Sequence, residues 1–384
     1  MEYYDFEDFL KISAVLNYQL SAKQLNWNNI TSVILEGKPI APHDQDVLLH
    51  VFDYLSKIYG KAKRDLGPFS VLHPLRATAL LSHASQEVVL LDLITCLLHD
   101  NFEDFPPAKF KDSNWIKLDQ KFHSFLMEIP ESDQRRLMEH LQWLTKEPSE
   151  TYNHYIGRLL NQASNAPEVV RVKLADRLDN TFDMRIDLED PLKGVEFFEI
   201  IFQTIFTNTY KGYRPEKPHQ SASILNGAQR LYQLFKNIML MSLIRQRKTA
   251  KEDSITQGLF NALAETSMKE AQRIALHVFG YHARSVSALR EILKETMAYA
   301  QSGGFDEVTH PKDGHRLDGL LVSVFDQPER DARKKQLFAL YQDKPRMLEV
   351  AIAFVIIFLN FLTDADYFVH GISAEGIRPE SWSD

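Results

Sequence analysis

SQEVVLLDLITCLLHD, residues 85–100, sets the fold class. Its apolar residues return at three- and four-residue steps, the period of a helix with a buried face. The same period runs through DQDVLLHVFDYLSKIYG (44–60) and LNGAQRLYQLFKNIMLMSLI (225–244). Sustained two-residue alternation is scarce, so the expectation is an all-α protein: a helical bundle with an additional C-terminal helical region. Breakers fall between the runs. Gly67-Pro68, Pro106-Pro107, Pro148-Ser149, Pro167, Arg214-Pro215 and Ser302-Gly303-Gly304 each suit a helix end or a loop.

With 384 residues, 44% hydrophobic and 25% charged, the chain can bury a substantial core, and its length allows two domains. The charged stretch RQRKTAKED (245–253) follows a long apolar helix and suggests a seam near residue 247. The expected division is 1–247, with its core at about 45–200, and 248–384, a helical region with no assigned role. A net charge of −8 argues against a broad grip on nucleic acid, whereas a small anionic substrate needs only a basic pocket. One cysteine, Cys96, excludes an intrachain disulfide and a thiolate cluster, and its apolar surroundings make it a buried hydrophobe. The acidic start MEYYDFEDFLKISAVLNYQL lacks the basic region of an export signal, so the expected compartment is the cytoplasm. VAIAFVIIFLNFL (350–362) is short for a bilayer span and reads as a core helix, so no membrane partner is expected.

His-Asp occurs twice. His43-Asp44 stands just ahead of an apolar run, where Asp44 or Asp46 can cap a helix, and is set aside. His99-Asp100, in CLLHDNFEDFPP, ends a strongly apolar helix, with Glu103 four residues after His99 and Asp104 four after Asp100. On one continuous helix these groups would share a face, and so many acids beside a buried segment call for a cation. In RVKLADRLDNTFDMR (171–185), Asp176 and Asn180 share a face beside the apolar stripe of Val172, Leu174, Ala175 and Leu178. In FSVLHPLRATALL (69–81), His73 precedes Pro74, a residue suited to beginning a helix. Two imidazoles and two carboxylates would make a mixed nitrogen and oxygen site, suited to Mn²⁺, Fe²⁺ or Zn²⁺.

The ordered set HP, HDxxED and KLADRxxN resembles the hydrolase domain of the RelA/SpoT family, enzymes that remove the 3′-pyrophosphate from the alarmone ppGpp. The resemblance spans roughly residues 45–200 and includes KRDLGPFSVLHP, with Arg64 and Gly67 in register. It implies His73, His99, Asp100 and Asp176 as metal ligands, with Mn²⁺ foremost, and Glu103 and Asp104 as the pair handling the attacking water. It places Arg64 and Asn180 at the nucleotide and Tyr152 in the pocket region beside Asn153 and Arg158; by charge, Lys61, Lys63 and Lys173 are further cations for the polyphosphate. Asp65 and Leu66 depart from the family pattern, and its LHN reads LDN here, with Asp179. Those positions are expected near base and ribose, so ppApp competes with ppGpp as substrate. No synthetase signature is present. The expected partner is thus a small nucleotide, and a homo-oligomer is compatible with this reading. Its rivals are a broader nucleotidase and a non-catalytic nucleotide-binding module.

Overall fold

Helix-favouring periodicity dominates, and the structure, a computed structural model, is all-α. It describes residues 5–22, 25–60, 62, 69–184, 194–207, 225–282, 285–303, 308–311, 314–327 and 329–377. Sixteen α-helices lie among the described residues, and the strand pairing found there is one short antiparallel hairpin, Ile372–Ser373 with Gly376–Ile377. Several helices start where capping chemistry directs. Asp5 caps α1 (Phe6–Ser21), Asn26 caps α2 (Trp27–Leu35), and Pro42 opens α3 (Pro42–Tyr59). Asp44 therefore lies inside the first turn of α3, and no side chain caps that helix.

The chain divides into two units. The first comprises residues 1–150, 158–183 and 249–262; the second comprises 151–157, 184–248 and 263–384. This differs from a single cut at residue 247, because 184–248 go with the C-terminal part and 249–262 return to the first unit. RQRKTAKED holds the last residues of α12 (Gly227–Arg247) and the turn to α13 (Ser254–Tyr281), with Lys248 and Ala250 in left-handed conformations. Asp253 caps α13 through the Thr256 N–H and accepts from Arg171, which ties this turn to the first unit.

In the first unit, three helices carry the interior: α4 (Leu72–Ala84), α5 (Leu90–Leu98) and α10 (Pro167–Asp183). α4 is buried on nearly every side and has little amphipathic pattern, as a helix surrounded by others should. Its small residues Ala77, Thr78 and Ala79 allow α10, α5, α2 and α1 to approach it closely. α4 begins two residues before Pro74, so the proline occupies the third helical position, where its missing N–H costs nothing. α5 stops at Leu98. His99 and Asp100 form a corner before the short α6 (Asn101–Asp104), so the expected single helical face is interrupted there. The Tyr54 hydroxyl donates to buried Asn101 at 2.8 Å and pins the corner to α3. α7 (Asp112–Leu126) packs on α3, and α8 (Glu131–Leu144) packs on α5 and α10.

The second unit is built on α12, which starts at an Asn226/Gln229 capping box, and on α16 (Lys344–Thr363). α16 is long and apolar enough to cross a membrane, and 67% of its most apolar window is buried inside the fold. Its Leu348, Val350, Phe354, Ile357 and Phe358 fill that unit's core.

Candidate metal centre

The first turn of α4, the corner after α5 and the middle of α10 bring four side chains together. His73 Nδ1 lies 2.6 Å from Asp179 Oδ2, and His99 Nδ1 lies 2.7 Å from the Cys96 carbonyl oxygen. A carbonyl only accepts, so His99 Nδ1 carries the proton, and the carboxylate asks the same of His73. In the neutral imidazoles each Nε2 is then a bare lone pair, and the two stand 3.2 Å apart. Asp100 reaches both, at 3.3 Å from His73 Nε2 and 3.2 Å from His99 Nε2. Asp176 Oδ1 lies 3.3 Å and 3.7 Å from the same two nitrogens. His73, His99 and Asp176 are buried, whereas the Asp100 side chain is 29% exposed and gives the cluster its opening.

Four electron-rich groups aimed at one point repel unless positive charge sits among them. Without a metal, protons take that place. Burial works against a charged imidazole, but the charge of Asp100 and hydrogen bonds to Asp100 and Asp176 overcome it, and His99 is pushed up to about 9. His73 is lifted well above its ordinary value; burial again opposes this, and hydrogen bonds to Asp100, Asp176 and Asp179 outweigh it. Asp176 is held well below the usual carboxylate range, with burial opposing and the Lys173 charge and both imidazoles prevailing. A divalent cation would meet the same demand, and donor atoms of His73, His99 and Asp176 all lie within 4.8 Å of one another. Donor chemistry and the fixed outer nitrogens both fit, and this buried group can hold a metal ion.

The surrounding side chains orient these donors. Lys173 donates to Asp176 Oδ2 at 2.7 Å, and the Asn180 amide donates to Asp176 Oδ1 at 2.6 Å. Both were expected at the nucleotide; here they brace Asp176. Asp179 was expected near base and ribose, but it is fully buried and its oxygens accept from His73 and Arg76. Glu103 and Asp104 follow the corner on α6 and both reach solvent. Glu103 accepts from the Lys146 backbone N–H at 3.4 Å. Partial desolvation, and then the charges of Asp100 and Glu103, hold the Asp104 carboxyl above its usual range.

Arg158 is clamped by Glu150 and the Thr145 carbonyl, which is a structural role. Tyr152 and Asn153 belong to the second unit, where the Lys236 ammonium sits 5.7 Å from the Tyr152 ring. Lys61, Lys63 and Arg64, with Asp65, Leu66 and Gly67, lie outside the described residues. The sequence reading missed Arg76 and Asp183. Their signal was the helical spacing of 173, 176, 179, 180 and 183 on α10, and Arg76 one turn after His73 on α4. No protein-family model matches this chain, and no curated protein sequence matches it.

Proposed function

We propose that this chain is a metal-dependent phosphohydrolase that removes the 3′-pyrophosphate of an alarmone nucleotide, (p)ppGpp or the related (p)ppApp. The observation that carries the reading is the convergence of His73, His99, Asp100 and Asp176, with both Nδ1 protons already committed elsewhere. These are the positions at which the ordered motifs of the RelA/SpoT resemblance imply ligands.

His73, His99, Asp100 and Asp176 would hold a divalent ion, Mn²⁺ first and Fe²⁺ or Zn²⁺ as alternatives, which would supply Lewis-acid polarisation of a phosphoryl oxygen and make water acidic enough to attack at neutral pH. Asp104, whose carboxyl keeps its proton to higher pH than an ordinary aspartate, would take the proton of the attacking water and deliver it to the nucleoside 3′-oxygen as the 3′-O–P bond breaks and pyrophosphate departs. Glu103 beside it orients the attack. Lys173 and Asn180 hold Asp176 in place as the charge at phosphorus changes. On the sequence, Lys61, Lys63 and Arg64 are the cations for the polyphosphate, and guanidinium forks suit phosphate oxygens.

The test is product analysis with the full chain and Mn²⁺ on ppGpp, ppApp, GTP and deoxynucleoside monophosphates. The proposal expects pyrophosphate from the first two substrates and nothing from the others. Orthophosphate from the monophosphates would replace it with a broader nucleotidase. Binding of ppGpp without products would replace it with a non-catalytic module.

A further inference from the structure

We infer that Asp179 is a positioning residue of the metal centre and that Arg76 is its fixed counter-ion, the two together setting the tautomer and aim of His73. The inference rests on the metal-binding part of the reading above.

Arg76 and Asp179 are both 0% exposed. Arg76 approaches the carboxylate with two donors, Nε to Oδ1 at 2.7 Å and Nη2 to Oδ2 at 3.1 Å, which fixes the rotation of the acid. Held that way, Oδ2 stands 2.6 Å from His73 Nδ1, so the imidazole proton is drawn to Nδ1 and the Nε2 lone pair is left for the centre. Arg76 is itself braced. Its Nη2 donates to Asp183 at 2.7 Å, its Nη1 donates to Ser13 at 3.2 Å, and its guanidinium carbon lies 5.0 Å from the centre of the Phe9 ring. The N-terminal helix α1 thereby backs the first imidazole of the site.

Helix geometry explains why these residues act as a set. His73 and Arg76 are one turn apart on α4, and Asp176, Asp179 and Asp183 follow one face of α10. Docking the two helices pairs His73 with Asp176 in the centre and with Asp179 behind it. The LDN departure from the family's LHN follows from this arrangement. The Asp179 position receives protons from both His73 and Arg76, and an imidazole there would offer a single accepting nitrogen. Arg76 and Asp179 are a matched pair, and Asp179 works through His73 without touching substrate.

The test is Co²⁺ and Mn²⁺ titration of the full chain, wild type and two isosteric variants, with the visible Co²⁺ bands reporting coordination. Asp179→Asn lets an amide N–H face His73 Nδ1 and reverse the tautomer, so metal affinity should fall by about 10- to 100-fold and the bands should change. Asp183→Asn keeps an amide oxygen that can accept from Arg76 and leaves the Arg76–Asp179 and Asp179–His73 bonds in place, so its affinity should fall far less than that of Asp179→Asn and its bands should keep the wild-type form. Equal affinity in Asp179→Asn and wild type, or equal weakening by Asp183→Asn, would overturn the inference. A wild-type chain that takes up neither ion would sink the metal reading before any variant is compared, and the inference with it. Should Asp179→Asn not fold, histidine ¹⁵N spectra of the Zn²⁺-loaded wild type decide the matter. A protonated Nδ1 on His73 with its proton far downfield is expected, and an unprotonated Nδ1 would refute it.

Discussion

Replacing Asp176 by Asn probes the centre with almost no change in volume. The residue is 4% exposed, accepts from Lys173 and Asn180, and faces both Nε2 atoms. In the metal-free protein repulsion against Asp100 is relieved, but Lys173 and the protonated His73 and His99 lose a buried anionic partner. The loss outweighs the relief, and the variant should be destabilised there by about 3 kcal/mol. With metal the outcome differs. At free Mn²⁺ about 100 times its dissociation constant, the wild type gains about 2.7 kcal/mol of stability by mass action. Losing an anionic donor should weaken binding by at least about 100-fold, the upper end of what outer-sphere partners cost. The variant then gains only about 0.4 kcal/mol at the same Mn²⁺ concentration. The metal-dependent stabilisation should therefore shrink by about 2.3 kcal/mol, roughly 5–9 °C in melting temperature for a unit of this size. Calorimetry with Mn²⁺ and with EDTA measures both quantities. An undiminished Mn²⁺ gain in the variant would refute the reasoning.

Glu103→Gln should lower pyrophosphate release by about 100-fold or more while Mn²⁺ uptake stays at the wild-type level; unchanged turnover would remove Glu103 from the reaction. The folded-state value of His99, about 9, lies above its unfolded one, so its contribution to the metal-free protein is full below about pH 6.5 and is lost as pH rises through 9. Melting temperature in EDTA should fall across that window, whereas Mn²⁺ affinity should rise across it as protons leave the imidazoles; a flat profile in both would contradict the cluster. Arg76→Met would leave Asp179 and Asp183 buried without their shared guanidinium, costing about 3–5 kcal/mol in urea unfolding, and a loss under about 1 kcal/mol would be inconsistent with that network. In the second unit, a Cβ at Gly157 would collide with Ala374 beside the C-terminal hairpin, so Gly157→Ala should destabilise by about 1–3 kcal/mol, checked by thermal melting.

How far the molecule can be read from its sequence depends on whether a residue's role is local. Residues 44–60 and 225–244 announce their helices, because each buries one face and the period survives in the letters. α4 hides its environment: a helix enclosed on nearly every side has no polar face to mark its orientation. His73, His99, Asp100 and Asp176 were legible as members of ordered motifs, although their meeting is a tertiary event. The end of the apolar helix at His99-Asp100 was legible, but the corner before α6 was not, since it is fixed by packing around Asn101. Arg76 and Asp179 were invisible as partners because their bond crosses from α4 to α10, and a buried Arg in an apolar run looks like an exception until its acids are found. The charged run 245–253 reads as a linker by composition, yet Asp253 and Arg171 anchor it to a unit the chain had already left.

The most direct test is anomalous diffraction from crystals grown with Mn²⁺. The account predicts one strong peak per chain, about 2.0–2.3 Å from His73 Nε2, His99 Nε2 and oxygens of Asp100 and Asp176. A peak bound through Nδ1 of either histidine, or no peak among these four residues at saturating Mn²⁺, would contradict it.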